Sequence, residues 1–163
     1  MVKLKIIVCV ILFTLIGSLQ AQNLVLDMPF DGNANDQSDF GNSGVINGAS
    51  LTTDRVGNKN SAYYFNGVNN YIDVGNDASL ALKNGYSVSV WFRSTGSQRL
   101  QTLVSKGYGE EGSFTLTVDD LGFGPLQFVR FFVGGEVIEG RVPLNNQWNH
   151  LVLSMQTGQD NVK

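Results

Sequence analysis

From Leu24 onward the chain sets apolar and polar residues at alternate positions, in short runs cut by Gly, Asn and Asp. A period of two sends successive side chains to opposite faces of a strand. Residues 24–30, 62–65, 71–74, 86–93, 103–104, 114–118, 126–133, 136–142 and 149–155 read as strands on this pattern. In the run 86–93, Tyr86, Val88, Val90 and Phe92 share one face, and Ser87, Ser89, Trp91 and Arg93 share the other. Residues 66–70 read as a hairpin-like connection between 62–65 and 71–74, because Asn66-Gly67 supplies the positive φ of a tight turn. Residues 79–82 allow a single helical turn, and no longer run has a helical period. Roughly ten short strands, with turn signals about every dozen residues, predict an antiparallel sandwich or barrel.

Composition narrows the class. A chain of 163 residues with 15% charged and 42% hydrophobic residues is one domain with a real core, not a disordered or coiled-coil chain. The net charge is −3, and the 11 basic residues are scattered. No stripe of cations is available to displace counterions from phosphates, so nucleic acid is not an expected partner. Residues 1–21 read as a cleaved signal peptide: Lys3 and Lys5, an apolar run from Ile6 to Ile16, then Gly17, Ser18 and Ala21 before Gln22. The apolar run falls short of a membrane span, so no membrane insertion is expected after cleavage. The expected location is secreted, extracellular or at the cell surface. The single cysteine, Cys9, leaves with the leader, so packing and hydrogen bonds must replace disulfides and thiolate metal sites.

Three stretches carry a resemblance. The first starts at Phe30-Asp31-Gly32 and runs through Asp36 to Gly44. The second is 62–74, followed by Ser79-Leu80 and Ser87-Val88-Ser89-Val90-Trp91-Phe92. The third is Gln147-Trp148-Asn149-His150-Leu151-Val152-Leu153. In this order and spacing they resemble the LamG-like jelly-roll domain of the concanavalin A-like lectin/glucanase superfamily, over residues 24–163. The resemblance implies an all-β, two-sheet antiparallel jelly-roll sandwich spanning 22–163. Asn161-Val162-Lys163 looks like the opening of a further strand, so the domain is expected to lack its last strands at the C-terminus. This sequence departs from the family pattern at Asn66, Asn69, Asn70 and Gln156, where the family carries Asp.

Candidate chemistry follows. Asp27, Asp31, Asn33 and Asp36 crowd hard oxygen ligands into one segment and suit a structural Ca²⁺, which the resemblance also implies. The competing reading is a polar loop whose Asx side chains bond their own backbone. No catalytic residue is nominated. Glu110-Glu111 and Asp119-Asp120 are adjacent, and Glu136 and Glu139 differ by three, so strand alternation splits each pair. His150 reads as a packed strand histidine rather than a general base. Trp91 with Arg93, and Tyr108 with Glu110 and Arg130, are candidate ligand-binding groups beside long Gly-rich loops. The expected function is a non-catalytic binding module for a glycan or cell-surface ligand. The alternatives are a structural spacer or interaction domain of a larger exported protein, and a divergent glycoside hydrolase. The residues carry no signal of oligomeric state.

Overall fold

The structure, a computed structural model, describes residues 23–81, 85–94, 100–107, 113–119, 126–133, 135–143 and 146–155. Residues 1–21, expected to be a signal peptide, as well as Tyr108, Glu110 and the segment beyond Met155, lie outside the described residues. In chain order the strands are β1 (Val45–Asn47), β2 (Ser50–Thr52), β3 (Ala62–Tyr64), β4 (Tyr71–Asp73), β5 (Tyr86–Arg93), β6 (Leu100–Lys106), β7 (Phe114–Asp119), β8 (Leu126–Val133), β9 (Glu136–Pro143) and β10 (Trp148–Met155). Their pairings are antiparallel: β1 with β4, β2 with β3, β5 with β10, and a four-stranded sheet in the order β6-β7-β8-β9. The chain is an all-β sandwich, as the alternation predicts.

The core lies between the β5–β10 ribbon and the four-stranded sheet. Register aligns Tyr86 with Met155, Val88 with Leu153, and Val90 with Leu151. These pairs face inward on the ribbon and meet Phe114, Leu116 and Val118 of β7 and Val129 and Phe131 of β8. Val118 is fully buried (0% exposed) and Phe131 nearly so (2%). Each side chain so buried contributes about 1.5–3 kcal/mol of transfer free energy. Adjacent Phe132 points to the other face of β8 and is 40% exposed. A bulge between Thr102 and Val104 breaks the β6–β7 register, and Leu103 and Val104 both pack against the core.

The N-terminal part differs from expectation in two places. Residues 24–30 alternate but form no strand. Their backbone groups are satisfied from elsewhere: Val25 C=O accepts from Asn42 Nδ2 at 2.8 Å, Asp27 N–H donates to Asp36 Oδ1 at 2.8 Å, and Asp27 C=O accepts from Gln37 N–H at 2.8 Å. With no ladder partner, a period-two pattern does not become a strand. Nor do 62–65 and 71–74 form a hairpin. β3 pairs back to β2, and β4 reaches back to β1. Between them Asn66 Oδ1 accepts the N–H groups of Val68, Asn69 and Asn70 at 2.9, 3.1 and 3.3 Å, so an amide closes the loop. Gly67 does adopt the positive φ, +71°.

Two local devices hold this region to its neighbours. A Cβ on Gly44 would run into the Ile72 side chain and meet Met28 Cε at 3.0 Å, so only glycine lets the 23–44 segment lie against β4. The expected helical turn is a 3₁₀ turn, Ala78–Leu80, capped by Asp77, whose carboxylate accepts the Ser79 N–H.

The two faces of β8 give the first prediction. Phe131→Ala costs about 3–5 kcal/mol of unfolding free energy, whereas Phe132→Ala stays within about 1 kcal/mol. Urea denaturation of both variants checks it, and equal losses would contradict this placement of the core.

Candidate functional site

Strand alternation builds an outer face on the β5–β10 ribbon. Ser87, Ser89, Trp91 and Arg93 of β5 lie opposite Ser154, Val152, His150 and Trp148 of β10. The hydroxyls of Ser87 and Ser154 are 2.7 Å apart, and Ser89 Oγ lies 2.8 Å from His150 Nε2. The Trp91 and His150 rings stack with centroids 4.5 Å apart and planes 4° from parallel. Trp91 is 46% exposed, an open aromatic on a strand whose inward positions are core. The Arg55 guanidinium reaches over Trp91, Cζ 4.7 Å from the ring centroid, from the turn between β2 and β3. Arg93 lies over Trp148 at 5.5 Å. Thus Trp91 and Arg93 share a face as the alternation predicts, but Arg93 rests on Trp148, while Arg55 takes Trp91. His150 is solvent-facing, not packed in the interior, because its register partner Trp91 points outward.

Arg130 sits on the opposite layer, on the outer face of the four-stranded sheet. Its Nη1 donates to Asp119 Oδ2 at 2.6 Å and its Nε donates to Glu139 Oε1 at 2.7 Å. The Glu139 hydrogen bond is the main cause raising the Arg130 pKa above its ordinary value. Phe128 lies beside this group, with Arg130 Cζ 5.3 Å and Arg141 Cζ 4.8 Å from its ring. Arg130 is therefore neutralised within its own sheet. Its predicted companions Tyr108 and Glu110 lie outside the described residues. The Arg55–Trp91 contact and the Asp119–Arg130–Glu139 bridge are both invisible to spacing. The first joins distant elements, and the second depends on cross-strand register.

The oxygen-rich segment is organised around Asp36. Its Oδ1 accepts the N–H groups of Asp27 and Ser38 at 2.8 and 2.9 Å, and its Oδ2 accepts Ser38 Oγ–H and Asn42 N–H, both at 2.7 Å. Partial burial works to raise its pKa, but these donors outweigh it and bring the carboxyl from 3.8 to about 2. Asn33 Oδ1 accepts the Asn35 N–H at 2.8 Å, and the Asp31 carbonyl accepts from Asn33 Nδ2 at 3.3 Å. Asp27 enters through its backbone. Among the described residues no group of three or more His, Cys, Asp or Glu is placed to hold a metal ion. The geometry is that of an Asx-bonded loop.

Two predictions arise here. A carboxyl with a lowered folded-state pKa stabilises the protein above its unfolded pKa and loses that contribution as pH falls through the folded value. The Asp36 contribution is therefore complete above about pH 4 and fades toward pH 2, and Asp36→Asn flattens this part of a stability–pH curve while costing about 1–3 kcal/mol at neutral pH. At the bridge, the Asp119 side chain is 9% exposed and that of Glu139 is 49% exposed. Arg130→Met strands the buried carboxylate and costs more than Glu139→Gln, about 1–3 kcal/mol against less than about 1. Chemical denaturation of the two variants reads the order.

A family model for the concanavalin A-like lectin/glucanases superfamily matches residues 65–163. The match takes in β4 to β10 and so both layers of the sandwich, while the Phe30–Gly44 stretch lies outside it. Comparison with curated proteins and with solved structures gave no match.

Proposed function

Because the chain belongs to the concanavalin A-like lectin/glucanases superfamily, as a LamG-like domain, we propose that it is an exported, non-catalytic module that binds glycans through the outer face of the β5–β10 ribbon. The observation that carries this reading is the ladder of Trp91, His150, Arg93 and Trp148 on a rigid, solvent-facing ribbon. Aromatic surface beside hydroxyl, imidazole and guanidinium donors is the chemistry that sugar recognition requires. LamG-like domains are typically non-catalytic. Among the described residues Asp119 and Glu139 are both committed to Arg130, so neither is a free acid or base, which supports the non-catalytic reading.

A second reading, an interaction or spacer domain, is favoured by the apolar exposure of the β1–β4 ribbon, where Val45 is 65% and Tyr71 55% exposed.

Thermal unfolding against a polysaccharide panel separates the two. A ligand that binds the folded state raises the midpoint by mass action, with about 2.7 kcal/mol of stabilisation at a hundredfold excess over Kd. Trp91→Ala weakens the glycan that gives the shift by about tenfold or more while leaving the melt cooperative. A panel that moves no midpoint would favour the interaction-domain reading.

A further inference from the structure

Resting on the glycan-binding reading, we infer that the ribbon face selects acidic polysaccharides, and that Arg55 and Arg93 contact their carboxylate or sulfate groups. Both guanidiniums are exposed and lie over indole rings. Among the described residues neither has a carboxylate partner. Arg130 provides the contrast inside the same molecule, because it holds two carboxylates within 2.7 Å.

The surroundings keep the two cations available. The eight outward positions of the ribbon, Ser87, Ser89, Trp91, Arg93, Trp148, His150, Val152 and Ser154, include no acid. This occurs in a chain with 14 acidic and 11 basic residues, so the face runs against the overall balance. The acid nearest in sequence, Asp54, is committed to its own turn: it accepts the N–H groups of Val56 and Asn58 at 2.9 and 2.8 Å, and Asn58 Nδ2 at 3.0 Å.

Geometry also favours an anion over a neutral sugar. Trp91 stays 46% exposed but carries the His150 ring and the Arg55 guanidinium, so a sugar reaching the indole meets a cation beside it. A guanidinium lying on an indole is planar, weakly hydrated and pre-positioned, and its outward N–H groups match the two oxygens of a carboxylate or sulfate. Trp91 and Trp148 are diagonal neighbours across the ribbon, about 7–8 Å apart, so the two guanidiniums they carry belong to one face that a single polymer can reach.

The test compares matched polymers that differ only in charge: polygalacturonate against its methyl ester, and dextran sulfate against dextran. Affinity of the full chain is measured by calorimetry at low and high salt. The expected result is binding to one or both charged members at least about tenfold tighter than to the neutral partner, weakening as salt rises. Which charged polymer binds distinguishes carboxylate from sulfate. Arg55→Gln and Arg93→Gln each weaken that binding about tenfold or more, while Lys106→Gln, a cation outside the ribbon, leaves it unchanged. Circular dichroism confirms that each variant is folded. Equal affinity for charged and neutral partners would overturn the inference and leave the glycan-binding reading standing. Charge-selective binding that survives both arginine substitutions would overturn the assigned site. Binding to none of the four polymers, together with no shift from the wider panel, would overturn both readings.

Discussion

The closure of the β5–β10 ribbon over β7 and β8 fixes the two layers of the sandwich and, through them, the outer face that carries Trp91 and His150. With no disulfide in reach, the interlock of Tyr86, Val88, Val90, Leu151 and Leu153 with Leu116, Val118 and Phe131 holds the two layers together. The constraint is severe because the period of a strand is two. A slip of one residue would carry Val90 and Leu151 into solvent and Trp91 and His150 into the core. The outer face reinforces the same register: Ser87 and Ser154 touch as directly opposed residues, and Ser89 reaches His150 as its diagonal neighbour, two contacts that the register set by the core packing brings together. The exposed ladder is thus fixed from beneath by apolar packing and from above by its own hydrogen bonds.

The N-terminal part solves a different problem. Its strands are three residues each, too short to bury much. Side chains therefore do the work of a ladder. Asp36 gathers four donors, Asn66 closes 66–70, and Asn42, itself buried, ties Val25 to Ser79. Of the Asx residues that suit a cation on composition, Asp36 and Asn33 turn their side-chain oxygens to backbone N–H groups. Composition alone does not distinguish the two uses, because both need short oxygen-bearing side chains near a turn. The distinction lies in which atoms the oxygens face.

The strong alternations were legible as sequence. The run from Tyr86 to Arg93 and the split between Phe131 and Phe132 follow from spacing alone. What escaped was non-local. The pairing of β3 with β2 and of β4 with β1 overrides the local hairpin signal at Asn66-Gly67: the backbone that a hairpin would have paired goes to β2 and β1, and the Asn66 amide closes the connection between them. Residues 24–30 have the pattern of a strand without a neighbour. Asp119, Arg130 and Glu139 are dispersed in sequence and converge only through the β7–β8–β9 register. Arg55 reaches Trp91 from a separate turn, a contact that no periodicity in either segment announces.

The arginines show how one residue type takes two roles. Arg130 lies between carboxylates on adjacent strands, where desolvation would make an unpaired charge costly, and the pairing offsets that cost. Its charge is spent on the sheet. Arg55 and Arg93 lie on indoles, which support a guanidinium through the quadrupole of the ring without neutralising it. A cation on an aromatic keeps its charge and loses much of its conformational freedom, so less entropy remains to be lost when an anion arrives. Stability accounts for the first arrangement. It accounts poorly for the second, because exposed cation–aromatic pairs contribute only about 0.5–1 kcal/mol each, and Trp91 pays for its position with open apolar surface. An arrangement that returns so little to the fold is better explained by what it presents to a ligand.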